Sequence, residues 1–245
     1  MTPAAPRWMT LFLDVPDVDF ERSVRFWAAA LGCKVSPSRG VHEEFVTLRQ
    51  PDGDAVVRLQ KLVDGPARVH LDLHVDDIRA ATAAAREAGA TLLESDGSVP
   101  VLASPAGIVF CFVDPGPSRR PAPVAWGGGG VRVVDQICLD VPADSYDTEV
   151  AFWSALTGWE HHRSEEHPEF GWWDRPEGFP VVVVSQRVGD RDARVHLDVG
   201  TDDAARAAEH HVELGATEVG DGPFWRVLRD PAGLPYCLAD HLNVG

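Results

Sequence analysis

The sequence predicts an α+β fold that is built twice, because the same residues recur at one constant spacing along 245 positions. The pattern of each copy is strand, helix and three strands, followed by the same order again, which predicts a mixed sheet with helices on one face. His70 and His196 illustrate the offset, since 196 − 70 = 126. A constant offset through strands, helices and loops indicates two copies of one complete fold. Further matching segments are Phe26-Trp27 with Phe152-Trp153, 89–91 with 215–217, and 105–107 with 231–233.

The length and the position of proline and glycine predict the division of the chain. Two domains of about 110 residues each have room for their own cores. Proline and glycine are concentrated in 115–123 and 127–130, where neither a helix nor a central strand is expected. We therefore predict a first domain at 1–115, a linker at 116–130 and a second domain at 131–245.

The first module of each copy begins with a short strand, at 11–15 and 137–141, and a turn at a proline. A helix follows in the first copy, with apolar residues at helical spacing and a glycine at its stop position. Three short strands come next. The helix residues are Phe20, Val24, Trp27, Leu31 and Gly32, and the strands are expected near 33–35, 45–49 and 55–62.

The second module repeats this order, with a strand at 69–75, an N-cap at Asp76-Asp77 and an alanine-rich helix that ends at Gly89. Strands are expected near 91–93, 99–103 and 109–113. Side chains alternate along a strand, so one face of 69–75 is aliphatic and the other is titratable. The aliphatic residues are Leu71, Leu73 and Val75, and the titratable ones are His70, Asp72 and His74. Such a sheet suggests a lined cavity.

Composition excludes several partners. The formal net charge of −16 is spread along the chain, so we expect neither nucleic acid nor an anionic membrane as a partner. The N-terminus lacks a signal-peptide pattern, and the longest aliphatic run, 181–184, is too short to span a bilayer. We predict a cytoplasmic protein. The cysteines form no CxxC motif and are expected to be reduced core thiols: Cys33, Cys111, Cys138 and Cys237.

The segments at 68–77 and 194–199, the Phe-Trp pairs and the ending at 225–238 make the chain resemble the vicinal oxygen chelate superfamily. This superfamily includes glyoxalase I, extradiol dioxygenases, fosfomycin-resistance enzymes and bleomycin-resistance proteins. The resemblance is greatest to glyoxalase-like domains. It implies that two βαβββ units in each copy form a U-shaped mixed sheet around a cavity, with the helices on the outer face.

The resemblance also implies a divalent metal, whose usual ligand positions are poorly filled here. The first position holds Thr10 or Gln136 and the second holds His70 or His196. The third position, normally a glutamate, holds Val109 or Pro235, which cannot bind a metal. A catalytic site usually needs three protein ligands. We therefore expect no cofactor; the alternative is zinc, nickel, iron or manganese bound through His70, His196 and Gln136.

Histidine and aspartate on one strand face are the candidate catalytic groups, since a carboxylate can orient an imidazole as a general base. They are His70, Asp72 and His74 in the first copy, and His196 and Asp198 in the second. The alternative is a structural pairing of Asp72 with His74. Only the His-Asp pair is common to both copies, because Gly200 replaces His74.

Aromatic and amide side chains are the candidate ligand contacts. Trp172 and Trp173 are consecutive, so at most one can line a cavity. The alternative for these aromatic residues is core filling. The predicted ligand-binding residues are Thr47, Gln60, Gln136, Trp173, Gln186 and Trp225.

Three hypotheses follow for the function. The favoured one is a small-molecule binding or sequestration protein, similar to bleomycin-resistance proteins, without a working metal site. The second is a glyoxalase-like lyase or dioxygenase, either metal-dependent or using a His-Asp acid-base pair. In the third, the two copies pack on each other, one of them inert, and give a monomer by internal pairing; a homodimer is the alternative.

Overall fold

The computed structural model describes residues 5–94, 99–116, 119–127, 130–189 and 191–242. The predicted order of elements is confirmed in both repeats, with four helices and two mixed sheets. The first repeat contains β1 (Trp8–Pro16), α1 (Asp17–Leu31), β2 (Lys34–Val35), β3 (Phe45–Arg49), β4 (Val57–Leu62), β5 (Arg68–His74), α2 (Ile78–Glu87), β6 (Thr91–Glu94), β7 (Val101–Ala103) and β8 (Val109–Val113).

The second repeat follows a two-residue strand, β9 (Val124–Ala125), which pairs with the start of the next strand. It contains β10 (Val131–Pro142), α3 (Tyr146–Thr157), β11 (His161–Arg163), β12 (Phe170–Trp173), β13 (Val182–Val188), β14 (Arg194–Thr201), α4 (Ala204–Glu213), β15 (Thr217–Asp221), β16 (Trp225–Arg229) and β17 (Pro235–Ala239). No helix among the described residues is both long enough and apolar enough to cross a bilayer.

The two sheets have matching strand orders, β2-β3-β4-β1-β5-β8-β7-β6 and β11-β12-β13-β10-β14-β17-β16-β15. Strand β1 pairs in parallel with β4, and β5 pairs in parallel with β8. The hairpins β3-β4 and β7-β8 are antiparallel. Each sheet is therefore mixed, as a repeated βαβββ order requires, because a helix connects the parallel strands of a module.

Local sequence signals explain where the helices begin and end. The residues predicted to form the apolar stripe of α1 are all buried, and Gly32 ends the helix in the left-handed conformation with φ 65°. Asp77 caps α2 by accepting a hydrogen bond from Ala80 N, and Asp203 caps α4 in the same way. The caps are 126 positions apart, so the repeat preserves hydrogen bonding as well as apolar spacing.

The chain forms two compact units, and each unit contains one βαβββ module from each repeat. Unit 1 comprises 1–10, 69–118 and 137–195, and unit 2 comprises 11–68, 119–136 and 196–245. The division at 1–115, 116–130 and 131–245 describes the sequence repeats and stays a prediction. Of the predicted linker, 117–118 and 128–129 lie outside the described residues.

Equivalent aromatic contacts join the two modules inside each unit. In unit 2 the Trp27 ring of α1 lies 4.9 Å from the Tyr236 ring of β17. In unit 1 the equivalent Trp153 of α3 lies 5.4 Å from Phe110 of β8. Both tryptophans are buried. Such edge-on aromatic pairs add to the free energy of burial, so each helix is anchored on a sheet segment of the other repeat.

A buried carboxylate satisfies the indole N–H of each of these tryptophans. In unit 1, Glu149 of α3 accepts hydrogen bonds from Trp153 Nε1 at 2.7 Å and from Ala106 N at 2.9 Å. In unit 2, Trp27 Nε1 donates to Asp230 at 2.8 Å, and the other oxygen of Asp230 accepts from Ala232 N and Leu234 N. Each carboxylate therefore links a helix to the turn before the last strand of the facing module.

The carboxylate is on the helix in unit 1 and in the turn in unit 2. Glu149 lies on the helix and faces a turn that begins at Ser104, whereas Asp230 lies in the turn and the helix position equivalent to Glu149 is Ser23. All four residues are buried. A carboxylate in either place supplies the acceptors that the indole and the turn need, so the exchange preserves the contact.

Burial raises the pKa of the Glu149 carboxyl above 4.5, against the opposing effect of its hydrogen bonds. A raised folded-state pKa means that the contribution of this group to stability is full below 4.5 and is lost as the pH rises through the folded value. We expect the stability advantage of wild type over Glu149→Gln to shrink as the pH rises above 4.5. Urea unfolding at a series of pH values measures it.

The exposed Glu21→Gln is the matched control, because its side chain is 80% exposed. The difference in unfolding free energy between Glu21→Gln and wild type should hardly change with pH. A pH-independent difference for Glu149→Gln would contradict the raised pKa.

Candidate functional site

Each repeat has a candidate site of its own, on the face of β5 in the first repeat and on the equivalent face of β14 in the second; we name this face of each repeat the histidine face. It carries His70 and Asp72 in β5, and His196 and Asp198 in β14. The opposite helix face carries Leu71 and Leu73, which surround an apolar space together with side chains of α3. Period-two alternation separates the two faces as predicted, although the histidine face is also buried.

Arginine-aspartate pairs hold the start of both strands. Arg68 Nε donates to Asp14 at 2.9 Å, and Arg194 Nε donates to Asp140 at 2.7 Å. Both aspartate side chains are almost fully buried while the arginines reach solvent. The histidine lies two residues further along in each case. The ion pairs therefore fix the strand from which each candidate histidine projects.

The histidine and the aspartate of each copy are close together. His70 Nε2 lies 3.6 Å from the Asp72 carboxylate, and His196 Nε2 lies 3.3 Å from that of Asp198. The exposed fractions of the four residues are between 5% and 8%. The structure thus brings together the His-Asp pair that the repeats have in common.

A cysteine completes each cluster, and the sequence analysis did not assign it there. Cys111 of β8 is paired in register with Asp72, and Cys237 of β17 is paired with Asp198. In each set, one ligand atom from the histidine, the aspartate and the cysteine lies within 4.8 Å of the others. None of the four cysteines, all of which are described, forms a disulfide bond. The sequence signal was the offset itself, because 237 − 111 = 126.

Both ring nitrogens of His74 contact groups outside the His70-Asp72-Cys111 cluster. Its Nε2 lies 2.9 Å from Thr10 Oγ1, and its Nδ1 lies 3.0 Å from the Asp114 carbonyl oxygen. A neutral imidazole has one donor and one acceptor nitrogen, so these contacts suit a ring that donates from Nδ1 and accepts at Nε2. The Thr10 hydroxyl, at the first position expected for a metal ligand, is engaged in the same contact.

Gly200 replaces His74 in the second repeat because the space is filled by other groups. A Cβ atom at Gly200 would lie 2.5 Å from the His241 carbonyl oxygen and 2.7 Å from an Asp135 carboxylate oxygen. The His241 ring in turn lies 3.7 Å from Asp135. Asp135 is buried, and the equivalent residue of the first repeat is Met9. Sequence reasoning missed both Asp135 and His241.

The predicted polar ligand contacts lie at half-buried strand positions. Gln136 of β10 donates its side-chain amide to the Asp198 carboxylate, so it joins the second cluster. Thr47 Oγ1 accepts a hydrogen bond from Arg39 at 2.7 Å. Gln60 of β4 is paired with Asp14, and Gln186 of β13 is paired with Phe170.

The tryptophans differ in burial. Trp173 is 2% exposed, and its Nε1 donates to Ser154 of α3 at 2.9 Å, which places Trp173 on the helix face. Trp172 on the other side is 39% exposed and stacks with His162 at 5.5 Å. Trp225 is half-buried in β16, where Val227, two residues along, is paired with Cys237. Trp225 therefore lies on the histidine face.

Comparison with known proteins gives one family. The model described as glyoxalase-like domain matches the chain twice, at residues 10–113 and 136–239. No curated protein matches the chain.

Solved structures of similar fold include a glyoxalase and dioxygenases. The Mn(II)-bound glyoxalase from Novosphingobium aromaticivorans has a TM-score of 0.66 and 18% identity, covering 97% of this chain and 82% of that one. A variant of homoprotocatechuate 2,3-dioxygenase from B. fuscum has a TM-score of 0.66 and 15% identity, with coverages of 98% and 73%. The 2,2',3-trihydroxybiphenyl 1,2-dioxygenase from Sphingomonas wittichii has a TM-score of 0.61 and 15% identity, covering 96% of this chain and 92% of that one.

The space around Gly200 is too small for a side chain. We expect Gly200→Ala to lower the free energy of unfolding by about 1–3 kcal/mol, because the added methyl group meets a backbone carbonyl and a buried carboxylate. Gly220→Ala is the matched control, since its Cβ would lie an ordinary 3.9 Å from Val227. Urea unfolding of the two variants measures both effects, and equal losses would refute the steric explanation.

Proposed function

Because the chain belongs to the glyoxalase-like domain family of the vicinal oxygen chelate superfamily, we propose that it binds a small molecule on the histidine face of the second repeat. The observation that carries the proposal is the shared position of a polar cluster and an aromatic ring. His196, Asp198 and Cys237 supply polar groups, and Trp225 supplies a flat apolar surface on the same side of the sheet. Small-molecule sites commonly combine these two elements.

The second repeat is favoured because its cluster is the more accessible of the two. Cys237 and Gln136 are half-buried, whereas the equivalent Cys111 is 6% exposed and Thr10 is fully buried. The residue equivalent to Trp225 in the first repeat is Val99. The first repeat therefore has the polar cluster without the stacking surface.

The family implies a divalent metal, and the chemistry of the donor set decides whether one fits. The inherited positions fit poorly, since the Gln136 amide already donates to Asp198 and Pro235 has no ligand atom. The His196-Asp198-Cys237 set does fit, because imidazole, carboxylate and thiolate are the ligands that zinc accepts. His196 Nε2 is the nitrogen that faces both partners, at 3.3 Å from Asp198 Oδ1 and 3.6 Å from Cys237 Sγ. Such an ion, when bound, would polarise an oxygen of the ligand.

A second candidate function is a glyoxalase-like lyase or dioxygenase. The separation of 3.3 Å between His196 Nε2 and Asp198 favours it, since a carboxylate at this distance can orient an imidazole for general-base work. The similar structures include a glyoxalase with bound Mn(II) and an extradiol ring-cleaving dioxygenase. In this alternative the histidine would take a proton from a substrate lying against Trp225.

Metal content tests whether the second cluster holds an ion. If the cluster holds an ion, protein purified without chelator contains close to one equivalent by plasma mass spectrometry. Cys237→Ser and His196→Ala should each lower that content at least tenfold, because a lost ligand weakens a three-ligand site strongly. Cys33→Ser is the control, since Cys33 belongs to neither cluster. Absence of metal from the purified protein, with no uptake of added zinc, would rule out the metal site and leave the binding and acid-base functions without an ion.

Ligand binding is tested by tryptophan fluorescence, with catechol and benzoate as planar probes. We expect quenching in wild type and at least a fivefold weaker apparent affinity in Trp225→Ala, because base-like stacking on an aromatic ring contributes about 1–3 kcal/mol. Trp172→Ala removes an exposed tryptophan of β12 and serves as the control. Equal quenching of wild type and Trp225→Ala would argue against the aromatic surface as the binding site.

A further inference from the structure

Unit 2 contains a buried arginine whose charge has no carboxylate partner. Arg132 lies at the start of β10 and is only 7% exposed. Within the described part of the chain its Nε and Nη1 atoms have no hydrogen-bond partner, and it forms no ion pair there. A buried cation costs free energy unless a negative group compensates it. The protein carries a formal net charge of −16, so carboxylates are not scarce in the sequence.

The pocket around Arg132 contains further hydrogen-bond donors. Trp126 is 8% exposed, and its Nε1 has no hydrogen-bond partner among the described residues. Thr201 and the α4 residues His210 and His211 complete the polar lining. The His210 ring stacks on Trp126 at 5.1 Å, and the Arg206 guanidinium lies 5.6 Å from the same ring. Two residues that carry three N–H groups without a hydrogen-bond partner among the described residues, Trp126 and Arg132, thus line one pocket with His210 and His211.

The nearby titratable groups do not neutralise Arg132. Burial raises the pKa of the Cys33 thiol to about 12, so this neighbour of Arg132 stays uncharged. Burial and the Arg132 charge lower the pKa of His211 to about 3, so that ring is neutral. Glu213 lies 3.8 Å from His210, and Asp203 is engaged in capping α4. Asp202 accepts a hydrogen bond from Val131 N.

The C-terminus of α1 offers Arg132 a partial compensation. A Cβ atom at Gly32, which ends α1, would lie 3.0 Å from Arg132 Nη2, so this nitrogen approaches the negative end of the helix dipole. Only one edge of the guanidinium is used in this way. The Nε and Nη1 edge remains without an acceptor.

The first repeat shows that the fold itself does not require this cluster. The positions equivalent to Arg132, Thr201, His210 and His211 hold small or apolar residues, which are Pro6, Val75, Ala84 and Ala85. The same helix and strand therefore pack without charged groups in one repeat and with them in the other. Four polar replacements in one pocket point to a ligand rather than to packing.

We propose that the pocket formed by Trp126, Arg132, Thr201, His210 and His211 binds a small oxyanion, either a carboxylate or an inorganic oxyanion such as phosphate. A guanidinium edge and an indole N–H donate to oxygen atoms, and an oxyanion supplies both the acceptors and the missing negative charge. The pocket leaves no room for a water molecule in this structure, so binding of the anion requires its lining side chains to move apart. This site is separate from the histidine face.

Thermal unfolding with different sodium salts at fixed ionic strength tests the proposal. Acetate or phosphate should raise the midpoint temperature above its value in chloride, in a concentration-dependent manner, because a ligand that binds the folded state stabilises it by mass action. A shift with acetate alone assigns a carboxylate ligand, and a shift with phosphate alone assigns an inorganic oxyanion. No shift beyond that of chloride would overturn the proposal.

Variants assign the effect to the pocket. Arg132→Met should abolish the anion-dependent shift, and Trp126→Phe should weaken the apparent affinity roughly tenfold, because it removes one hydrogen bond to a charged ligand. Arg25→Met removes a charge from an arginine side chain that is 72% exposed and should keep the full shift. If Arg132→Met does not fold, Trp126→Phe carries the test. Shifts in Trp126→Phe equal to those of wild type would show that the anion binds outside this pocket and would overturn the proposal.

Discussion

The parallel pairing of β5 with β8, repeated by β14 with β17, determines the chemistry that each sheet presents. It sets Asp72 opposite Cys111 and Asp198 opposite Cys237, and the histidine two residues earlier completes the cluster. A slip of one residue would turn the cysteine to the helix face and bring an aromatic residue, Phe110 or Tyr236, onto the histidine face. The aromatic contacts that join the modules hold the register, because those same rings pack against Trp153 and Trp27.

Much of the fold could be predicted from the sequence because its signals are local. Apolar spacing located α1, the Asp77 cap located α2, and alternation separated Leu71 from its histidine neighbours, as the structure confirms. Cys111 was not predicted to join the site, because its contact with Asp72 depends on pairing between distant segments. Which of Trp172 and Trp173 faces a helix likewise depends on the direction of the strand relative to α3, which consecutive residues do not reveal.

The two repeats differ most where side chains are buried. The first repeat fills the α2 side with alanine and valine and engages His74 with Thr10. At the equivalent helix-side positions the second repeat has Arg132 and His211. Its Asp135 occupies the space that a side chain at Gly200, the position equivalent to His74, would need. Polar groups in a core cost free energy unless they are matched, so the two repeats carry this cost at different positions of one fold.

The exchanged carboxylates make the two repeats dependent on each other. Each unit takes one module from each repeat, so Glu149 meets Ser104 and Asp230 meets Ser23. A homodimer of the first repeat alone would place serine against serine and leave the indole without a carboxylate acceptor. A homodimer of the second repeat would force two carboxylates into one buried contact, where like charges repel. Neither repeat can form this contact with a second copy of itself, so each unit requires one module from each repeat.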